Sequence, residues 1–223
     1  MRPFSALTAP ACKLANANID TDQLIPARFM RRPRAEGYGN FLLHDLRFNA
    51  DGSAKPDFAL NDPKTAGCEV MLAGRNFGCG SSREAAVYAL TDYGIRVVIA
   101  ASFGDIFASN AVKNGVLPAQ ISEQDAQALF HADEWVGPRP ITIDLPAQTI
   151  TSGNLVVPFC IDPVWKNQLL NGWDDIDMTR SEAATIARFT EQDERRRPWM
   201  KPVGALNSTT TASPTKSIQS RSD

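Results

Sequence analysis

Between residues 69 and 131, short apolar runs alternate along the chain with segments in which apolar residues have helical spacing. Short continuous apolar runs are typical of strands buried on both faces of a sheet, and apolar residues three and four positions apart are typical of helices. The runs predict strands at 69–73, 96–101 and 116–121, and the helical spacing predicts helices at 83–93, 103–114 and 122–131. Gly115 is expected to follow the end of the second helix, and Ser122 is expected to cap the third. This order predicts an α/β core with parallel strands.

The segments on either side of this core are less regular. Residues 31–66 are polar and rich in Gly, Pro and Arg, which predicts a long loop-rich excursion with one short apolar segment at 41–48. The stretch 204–223 is rich in Ser and Thr, so we expect one domain over 1–203 and a disordered tail over 204–223. Further elements are predicted as strands at 7–14, 141–145, 148–151 and 154–159 and as helices at 163–171 and 181–195.

The composition argues against several classes of protein. The chain has 223 residues, of which 43% are hydrophobic and 22% charged, and its formal net charge is -2. These values are ordinary for a soluble globular protein and do not suggest a basic nucleic-acid-binding surface or a polybasic membrane patch. No run approaches the roughly 18 apolar residues of a transmembrane helix, and the first 20 residues lack the apolar segment of a secretory signal. We therefore expect a cytoplasmic protein that binds neither nucleic acid nor membrane.

The cysteines are widely and irregularly spaced, at Cys12, Cys68, Cys79 and Cys160. No CxxC pair is present, which argues against a zinc site or an iron–sulfur cluster held by this chain alone. We expect the chain to bind no metal and its cysteines to be reduced thiols.

A glycine-rich segment at 74–84, GRNFGCGSSRE, lies between a predicted strand and a predicted helix. Its glycines permit positive φ and close approach of a ligand, and a helix N-terminus offers unpaired N–H groups that bind anions. Arg75 and Arg83 add positive charge, and a guanidinium can bind both oxygens of a carboxylate. The known nucleotide-binding and hydrolase loop patterns do not fit. The segment is consistent with a carboxylate or phosphate cradle, and also with a tight turn whose serines cap the helix.

Three segments in the same order resemble one family. GRNFGCGSSRE with its continuation ALTDYGIRVVIAASFGDIFASNAVKNGVLP, NIDTDQLIPARF at 18–29 and LLNGWDDIDMT at 169–179 are similar to motifs of the aconitase superfamily's swivelling domain. Within that superfamily the chain most resembles the small subunit of bacterial 3-isopropylmalate dehydratase. The resemblance implies an α/β fold of the swivelling β/β/α type.

The resemblance also implies an activity. The family is a hydro-lyase of leucine biosynthesis that interconverts 2-isopropylmalate and 3-isopropylmalate by dehydration and rehydration. The expected enzyme is a heterodimer, active only with a large subunit. The large subunit is expected to hold a [4Fe–4S] cluster, whose open iron acts as a Lewis acid on the hydroxyl group. The chain described here would bind no cofactor and would supply the base that takes the carbon-bound proton.

Position in the motifs assigns roles to individual residues. Ser81 matches the catalytic serine, and a serine can act as a base only if a helix N-terminus, N–H groups or an arginine stabilise its alkoxide. Arg83 matches the arginine that holds the substrate carboxylate, and it is the second expected catalytic residue. Ser82 is expected to cap the helix, and Asp22 either belongs to the site or forms an Asx turn. The expected substrate-binding residues are Asp22, Arg28, Arg31, Arg75, Gly80 and Ser82.

One departure from the family leaves the substrate open. The motif often continues SSREHAPWAL, whereas this chain has SSREAAVYAL, so Ala85 stands in place of a histidine. The same chemistry on citraconate/2-methylmalate, dimethylmalate or homoaconitate therefore remains an alternative. A non-catalytic anion-binding module and an enzyme that works without a partner are further alternatives.

Overall fold

The computed structural model describes residues 1–131 and 140–200. The chain divides into two compact units, Met1–Met178 and Thr179–Asp223. The strands are β1 (Ala6–Ala9), β2 (Ala11–Leu14), β3 (Val70–Ala73), β4 (Val97–Ala100), β5 (Leu117–Gln120), β6 (Ile141–Asp144), β7 (Thr149–Ser152) and β8 (Leu155–Pro158). The α-helices are α1 (Thr21–Leu24), α2 (His44–Arg47), α3 (Glu84–Tyr93), α4 (Asp105–Lys113), α5 (Glu123–His131), α6 (Pro163–Asn171), α7 (Asp175–Ser181) and α8 (Ala183–Arg196).

A parallel sheet forms the centre of the first unit, with the strand order β2-β3-β4-β5. Helices α3 and α4 connect its last three strands, and α5 follows the last of them. The predicted α/β core with parallel strands is confirmed, and its boundaries differ from the predicted ones by at most two residues. The capping prediction is also confirmed, because Ser122 Oγ accepts the N–H of Asp125 at 3.0 Å.

A second, antiparallel sheet has the order β1-β6-β7-β8. The prediction of a single strand over 7–14 is wrong, because the chain passes from one sheet to the other at Pro10. Residues before Pro10 pair with β6, and residues after it pair with β3. Proline has no N–H to donate to a strand ladder, so it is placed where neither ladder needs one.

The side chains of the parallel sheet alternate between two cores, as the period of two requires. On β4, Val98 and Ala100 belong to the core that includes residues of α3. Val97 and Ile99 point the other way and pack in the core that includes Ile143 of the antiparallel sheet. The layers are therefore helix, parallel sheet and antiparallel sheet, which agrees with the expected β/β/α type.

The excursion at 31–66 is loop-rich, as predicted, and contains only α2 and short 3-10 turns. It nevertheless packs closely on α3. A Cβ added to Gly39 would lie 2.6 Å from the backbone at Asp92 and Tyr93, so a side chain cannot be accommodated there. This contact holds the excursion against the helix that follows the glycine-rich loop.

Helix α6 has the predicted bounds, and α8 covers most of the helix predicted at 181–195. The predicted tail at 204–223 lies outside the described residues. The prediction of one domain over 1–203 stays a prediction. Within residues 1–131 and 140–200, no helix is long and apolar enough to cross a membrane.

Candidate active site

Three loops meet at the carboxyl edge of the parallel sheet. They follow β2, β3 and β4 and lead into α1, α3 and α4 respectively. Because neighbouring parallel strands end at the same edge, segments that are far apart in sequence are brought together there. The glycine-rich loop is the middle one, so it contacts a loop on each side.

Backbone hydrogen bonds fix the glycine-rich loop to both neighbours. On one side, the N–H of Gly78 donates to the carbonyl of Ile19 at 2.7 Å, and the N–H of Thr21 donates to the carbonyl of Cys79 at 3.0 Å. On the other side, the N–H of Phe77 donates to the carbonyl of Ser102 at 3.1 Å. The loop therefore has a defined conformation before any ligand binds.

Two glycines of the loop have positive φ, Gly78 at 72° and Gly80 at 88°. At Gly78 the space is also closed, since an added Cβ would lie 2.1 Å from the ring of Phe107. Gly104, which precedes α4, also lies close to the loop, because its added Cβ would lie 2.6 Å from the carbonyl oxygen of Gly78. These contacts bring the start of α4 against the loop that precedes α3.

A cavity of about 250 Å³ opens between these elements. The starts of α1, α3 and α4 all border it. The lining residues are Thr21, Gly78, Cys79, Gly80, Ser81, Ser82, Arg83, Gly104, Asp105, Ile106 and Phe107. Because α3 and α4 each present an N-terminus, the unpaired N–H groups and the dipoles of two helices favour negative charge in this space.

Consecutive backbone N–H groups of the loop are available to a ligand. Within the described residues, the N–H groups of Gly80, Ser81 and Ser82 donate to no protein acceptor. All three residues are exposed. Successive unpaired N–H groups next to a glycine of positive φ form a concave anion-binding site. The structure thus has the donors that a carboxylate or an oxyanion requires.

The prediction that Ser82 caps α3 is wrong. The N-cap position is occupied by Arg83, and no side-chain hydrogen bond is made there. The backbone of Arg83 is extended, with φ −130° and ψ 105°, so Arg83 is itself the last residue before the helix. Ser82 and Ser81 precede this residue and therefore lie outside the position from which a side chain caps the first turn. The hydroxyls of Ser81 and Ser82 are consequently not used by the helix start.

Arg83, which lines the cavity, forms an ion pair with Asp22. The side chain of Arg83 is 24% exposed and that of Asp22 is 53% exposed. Only Nη1 of Arg83 is bonded to the aspartate. The remaining N–H groups of the guanidinium can still bind a second carboxylate, as its five donors allow.

Three further predicted residues lie elsewhere. Arg28 forms a bidentate pair with Asp45 beside a different cavity, and its hydrogen bonds lower the pKa of that carboxyl to about 2. Arg75 is exposed and lines a cavity that also includes Glu123. Arg31 is exposed on a 3-10 turn and is absent from the described lining of the Ser81 cavity. Of the predicted substrate-binding residues, Asp22, Gly80 and Ser82 thus lie near Ser81, whereas the three arginines lie outside that group.

Sequence reasoning missed the contributions of α1 and α4. Thr21 is only 2% exposed, and its hydroxyl donates to the carbonyl of Ser81 at 2.7 Å. Asp105, at the start of α4, lines both this cavity and a neighbouring one of about 360 Å³. Both residues could have been identified from their position, since each begins a helix that follows a strand of the same parallel sheet. Ala85, in contrast, packs partly buried against the core beneath α3.

A ligand set for a metal ion is not found in the parts of the chain that the structure describes, since no three His, Cys, Asp or Glu side chains converge there. Of the four free cysteines, Cys12 and Cys68 are buried, Cys79 is half-buried beside the cavity and Cys160 is exposed. These positions do not provide the thiolate cage of an iron–sulfur cluster.

Comparison with known proteins gives consistent results. The family model of the aconitase C-terminal domain matches residues 1–124. A 3-isopropylmalate dehydratase small subunit from Shouchella clausii is 44% identical over 189 residues, which cover 85% of this chain and 95% of the relative. The small subunit of the same name from Ruegeria pomeroyi is 42% identical over 201 residues, covering 90% and 100%. A crystal structure of 3-isopropylmalate dehydratase from Methanocaldococcus jannaschii aligns with a TM-score of 0.58 at 25% identity, covering 82% of this chain and 98% of that one.

Proposed function

Because the chain belongs to the family of 3-isopropylmalate dehydratase small subunits, we propose that it is the small subunit of a hydro-lyase. The enzyme interconverts 2-isopropylmalate and 3-isopropylmalate in leucine biosynthesis and is active when this chain is assembled with a large subunit. The observation in the structure that best supports this proposal is the anion-binding cavity around Ser81, at the start of two helices.

Ser81 is the proposed base. Dehydration of a hydroxy acid breaks a C–H and a C–O bond and forms a C=C bond. The carbon-bound proton moves to the base, and the hydroxyl group leaves as hydroxide and becomes water on protonation. Ser81 lies on the cavity and is exposed, so its Oγ can reach a substrate there. The neighbouring unpaired N–H groups and the N-terminus of α3 supply the stabilisation that a serine alkoxide needs.

Arg83 is the proposed carboxylate-binding group, with Asp22 as its orienting partner. The ion pair restrains the guanidinium beside the cavity, and its N–H groups that are not bonded to Asp22 are available for a substrate carboxylate. Gly80 and Ser82 are proposed to contribute backbone N–H groups. We propose that the three remaining arginines contact the substrate or the large subunit in the assembled enzyme. They are Arg28, Arg31 and Arg75.

Further proposals concern the cofactor of the large subunit, the class of substrate and the cellular location. We propose that the large subunit holds a [4Fe–4S] cluster, which would supply Lewis-acid chemistry for the hydroxyl group. The proposed substrate is a small hydroxy-dicarboxylate, and the proposed location is the cytoplasm. Nucleic acid and membranes are not proposed as partners.

Replacement of the two adjacent serines tests the catalytic assignment. In the complex reconstituted with the cluster-containing large subunit, Ser81→Ala is expected to lower kcat about 10²–10⁴-fold, the usual contribution of a general base. Ser82→Ala should cost less than about tenfold, because alanine keeps the backbone N–H that is assigned to Ser82. Size-exclusion chromatography should show that both variants still assemble with the large subunit. Full turnover by Ser81→Ala would refute the serine base.

Competition between substrates tests the specificity. The same complex should turn over 3-isopropylmalate with a higher kcat/KM than 2-methylmalate, dimethylmalate or homoaconitate. A higher kcat/KM for one of these would keep the hydro-lyase but reassign its substrate. Assembly without turnover of any of them would favour the non-catalytic anion-binding module.

A further inference from the structure

Thr21 makes two hydrogen bonds to the glycine-rich loop. Its backbone N–H donates to the carbonyl of Cys79 at 3.0 Å, and its Oγ1 donates to the carbonyl of Ser81 at 2.7 Å. The two accepting carbonyls lie on either side of Gly80. One residue of α1 therefore holds two peptide groups of the loop that carries the proposed base, Cys79–Gly80 and Ser81–Ser82.

Thr21 is itself held firmly. It is 2% exposed, and it is the first residue of α1. Asp20, which precedes it, forms a capping box with Gln23, since its side chain accepts the N–H of Gln23 at 2.7 Å and its own N–H donates to Gln23 Oε1 at 3.0 Å. The backbone that carries the Thr21 hydroxyl is thus also held by a capping box within its own helix.

The two bonds determine where the N–H groups of the loop point. In a trans peptide the C=O and the N–H point in opposite directions, and the whole unit is planar. Fixing the carbonyl of Cys79 therefore directs the N–H of Gly80 away from Thr21, and fixing the carbonyl of Ser81 does the same for the N–H of Ser82. Neither N–H has a protein acceptor among the described residues.

We propose that Thr21 is a positioning residue, whose hydroxyl aligns the Ser81–Ser82 peptide so that the Ser82 N–H stabilises negative charge in the cavity. The proposal rests on the proposed function, because it assumes that charge develops next to Ser81 during catalysis. The hydroxyl has no contact with substrate in this arrangement and acts through the peptide. The methyl group of Thr21 is expected to contribute only packing.

Two substitutions at this position separate the hydroxyl from the packing. Thr21→Val keeps the branched shape and removes the donor, whereas Thr21→Ser keeps the donor and removes the methyl group. In the reconstituted complex with 3-isopropylmalate, Thr21→Val should lower kcat about tenfold to a hundredfold with KM within about threefold. That loss is smaller than the roughly 10²–10³-fold cost of deleting a donor outright. Thr21→Ser should restore kcat to within about threefold of the wild type.

The pH dependence gives a readout that a purely structural defect would not change. Less stabilisation of a serine alkoxide favours its protonated form, so the rise of kcat/KM with pH should move to higher pH in Thr21→Val and stay in place in Thr21→Ser. Thr65→Val is the matched control. This substitution also removes a hydroxyl that donates to a backbone carbonyl, because Thr65 Oγ1 donates to the carbonyl of Asp62 at 2.9 Å. Thr65 lies in the 31–66 excursion, so the kinetics of Thr65→Val should be those of the wild type.

Several results would overturn the proposal. They are a wild-type kcat and pH profile in Thr21→Val, an equal loss in Thr21→Ser, or a fall in kcat without a shift of the pH profile. If Thr21→Val does not assemble with the large subunit, Thr21→Ala replaces it in the comparison with Thr21→Ser, because alanine removes the hydroxyl without adding a group. Ser81→Ala is measured in parallel, and full turnover in that variant would reject the proposed function independently of Thr21.

Discussion

Gly78 is the position where the structure makes the sharpest energetic prediction. Its φ is 72°, and an added Cβ would lie 2.1 Å, 2.5 Å and 2.6 Å from three atoms of the Phe107 ring. That ring cannot move aside easily, because it is 3% exposed and packs between Phe77, at 5.3 Å edge to face, and Phe103, at 6.3 Å. Gly78→Ala therefore adds a backbone penalty and a steric one at the same residue.

The two penalties can be estimated separately. An alanine in the left-handed region costs roughly 1–2 kcal/mol. Forcing an extra methyl group into a packed site costs typically about 1–3 kcal/mol. Alanine also gains roughly 0.4–1 kcal/mol by restricting the unfolded chain, so Gly78→Ala should lower the free energy of unfolding by about 1–5 kcal/mol.

Gly52→Ala is the control that isolates the steric part. Gly52 has a similar φ of 83°, but no atom lies within 4 Å of its added Cβ. It should therefore show the backbone penalty alone, reduced by the roughly 0.4–1 kcal/mol that alanine gains by restricting the unfolded chain. Urea unfolding followed by circular dichroism gives both free energies, and thermal unfolding should show about 2–4 °C per kcal/mol. Equal destabilisation by the two substitutions would refute the close packing of Phe107 on Gly78.

Three other predictions follow from contacts described above. Arg83→Lys should raise KM for 3-isopropylmalate about tenfold or more, since an ammonium cannot bind both carboxylate oxygens, and a KM within twofold of the wild type in steady-state assays would contradict the assignment. Arg28 lowers the pKa of Asp45 to about 2, below its ordinary 3.8, so the pair stabilises the fold above about pH 4 and loses this contribution as the pH falls towards 2. Because the pair is more than half exposed, Asp45→Asn should remove at most about 1 kcal/mol of this acid dependence in unfolding measured between pH 2 and pH 5. Ser122→Ala should cost about 1 kcal/mol through loss of the α5 cap, measured by urea unfolding, and an unchanged midpoint would exclude the cap.

The regular part of the fold was predictable from the sequence because local pattern determines it. Continuous apolar runs specify strands that are covered on both faces, and β3, β4 and β5 are such strands. The break at Pro10 was not recognised, since the residues on both sides are apolar and only the sheets they join distinguish them. Which sheet a short strand joins depends on partners more than 50 residues away in sequence.

The candidate site was only partly predictable for a similar reason. The glycine-rich motif identified Ser81 and Arg83, because the motif is contiguous and precedes a helix. Thr21 lies 60 residues earlier, and its bond to the Ser81 carbonyl exists only once the parallel sheet brings the two loops together. Arg28 and Arg75 show a related limit of local pattern, since a positive charge near a motif does not reveal which cavity the side chain will line.

The crossing of the chain at Pro10 has a consequence for protein synthesis. β1 is synthesised long before its partner β6, which begins at Ile141, and the antiparallel sheet is complete only at Pro158. β5 ends at Gln120, so the parallel sheet can form roughly 40 residues earlier, which is about two to eight seconds at 5–20 residues per second. During that interval the core that contains Val97 and Ile99 lacks Ile141, Ile143, Ile150 and Val157 of the antiparallel sheet. Translation speed between Gln120 and Pro158 thus determines how long this apolar sheet surface remains only partly covered and open to aggregation or to a chaperone.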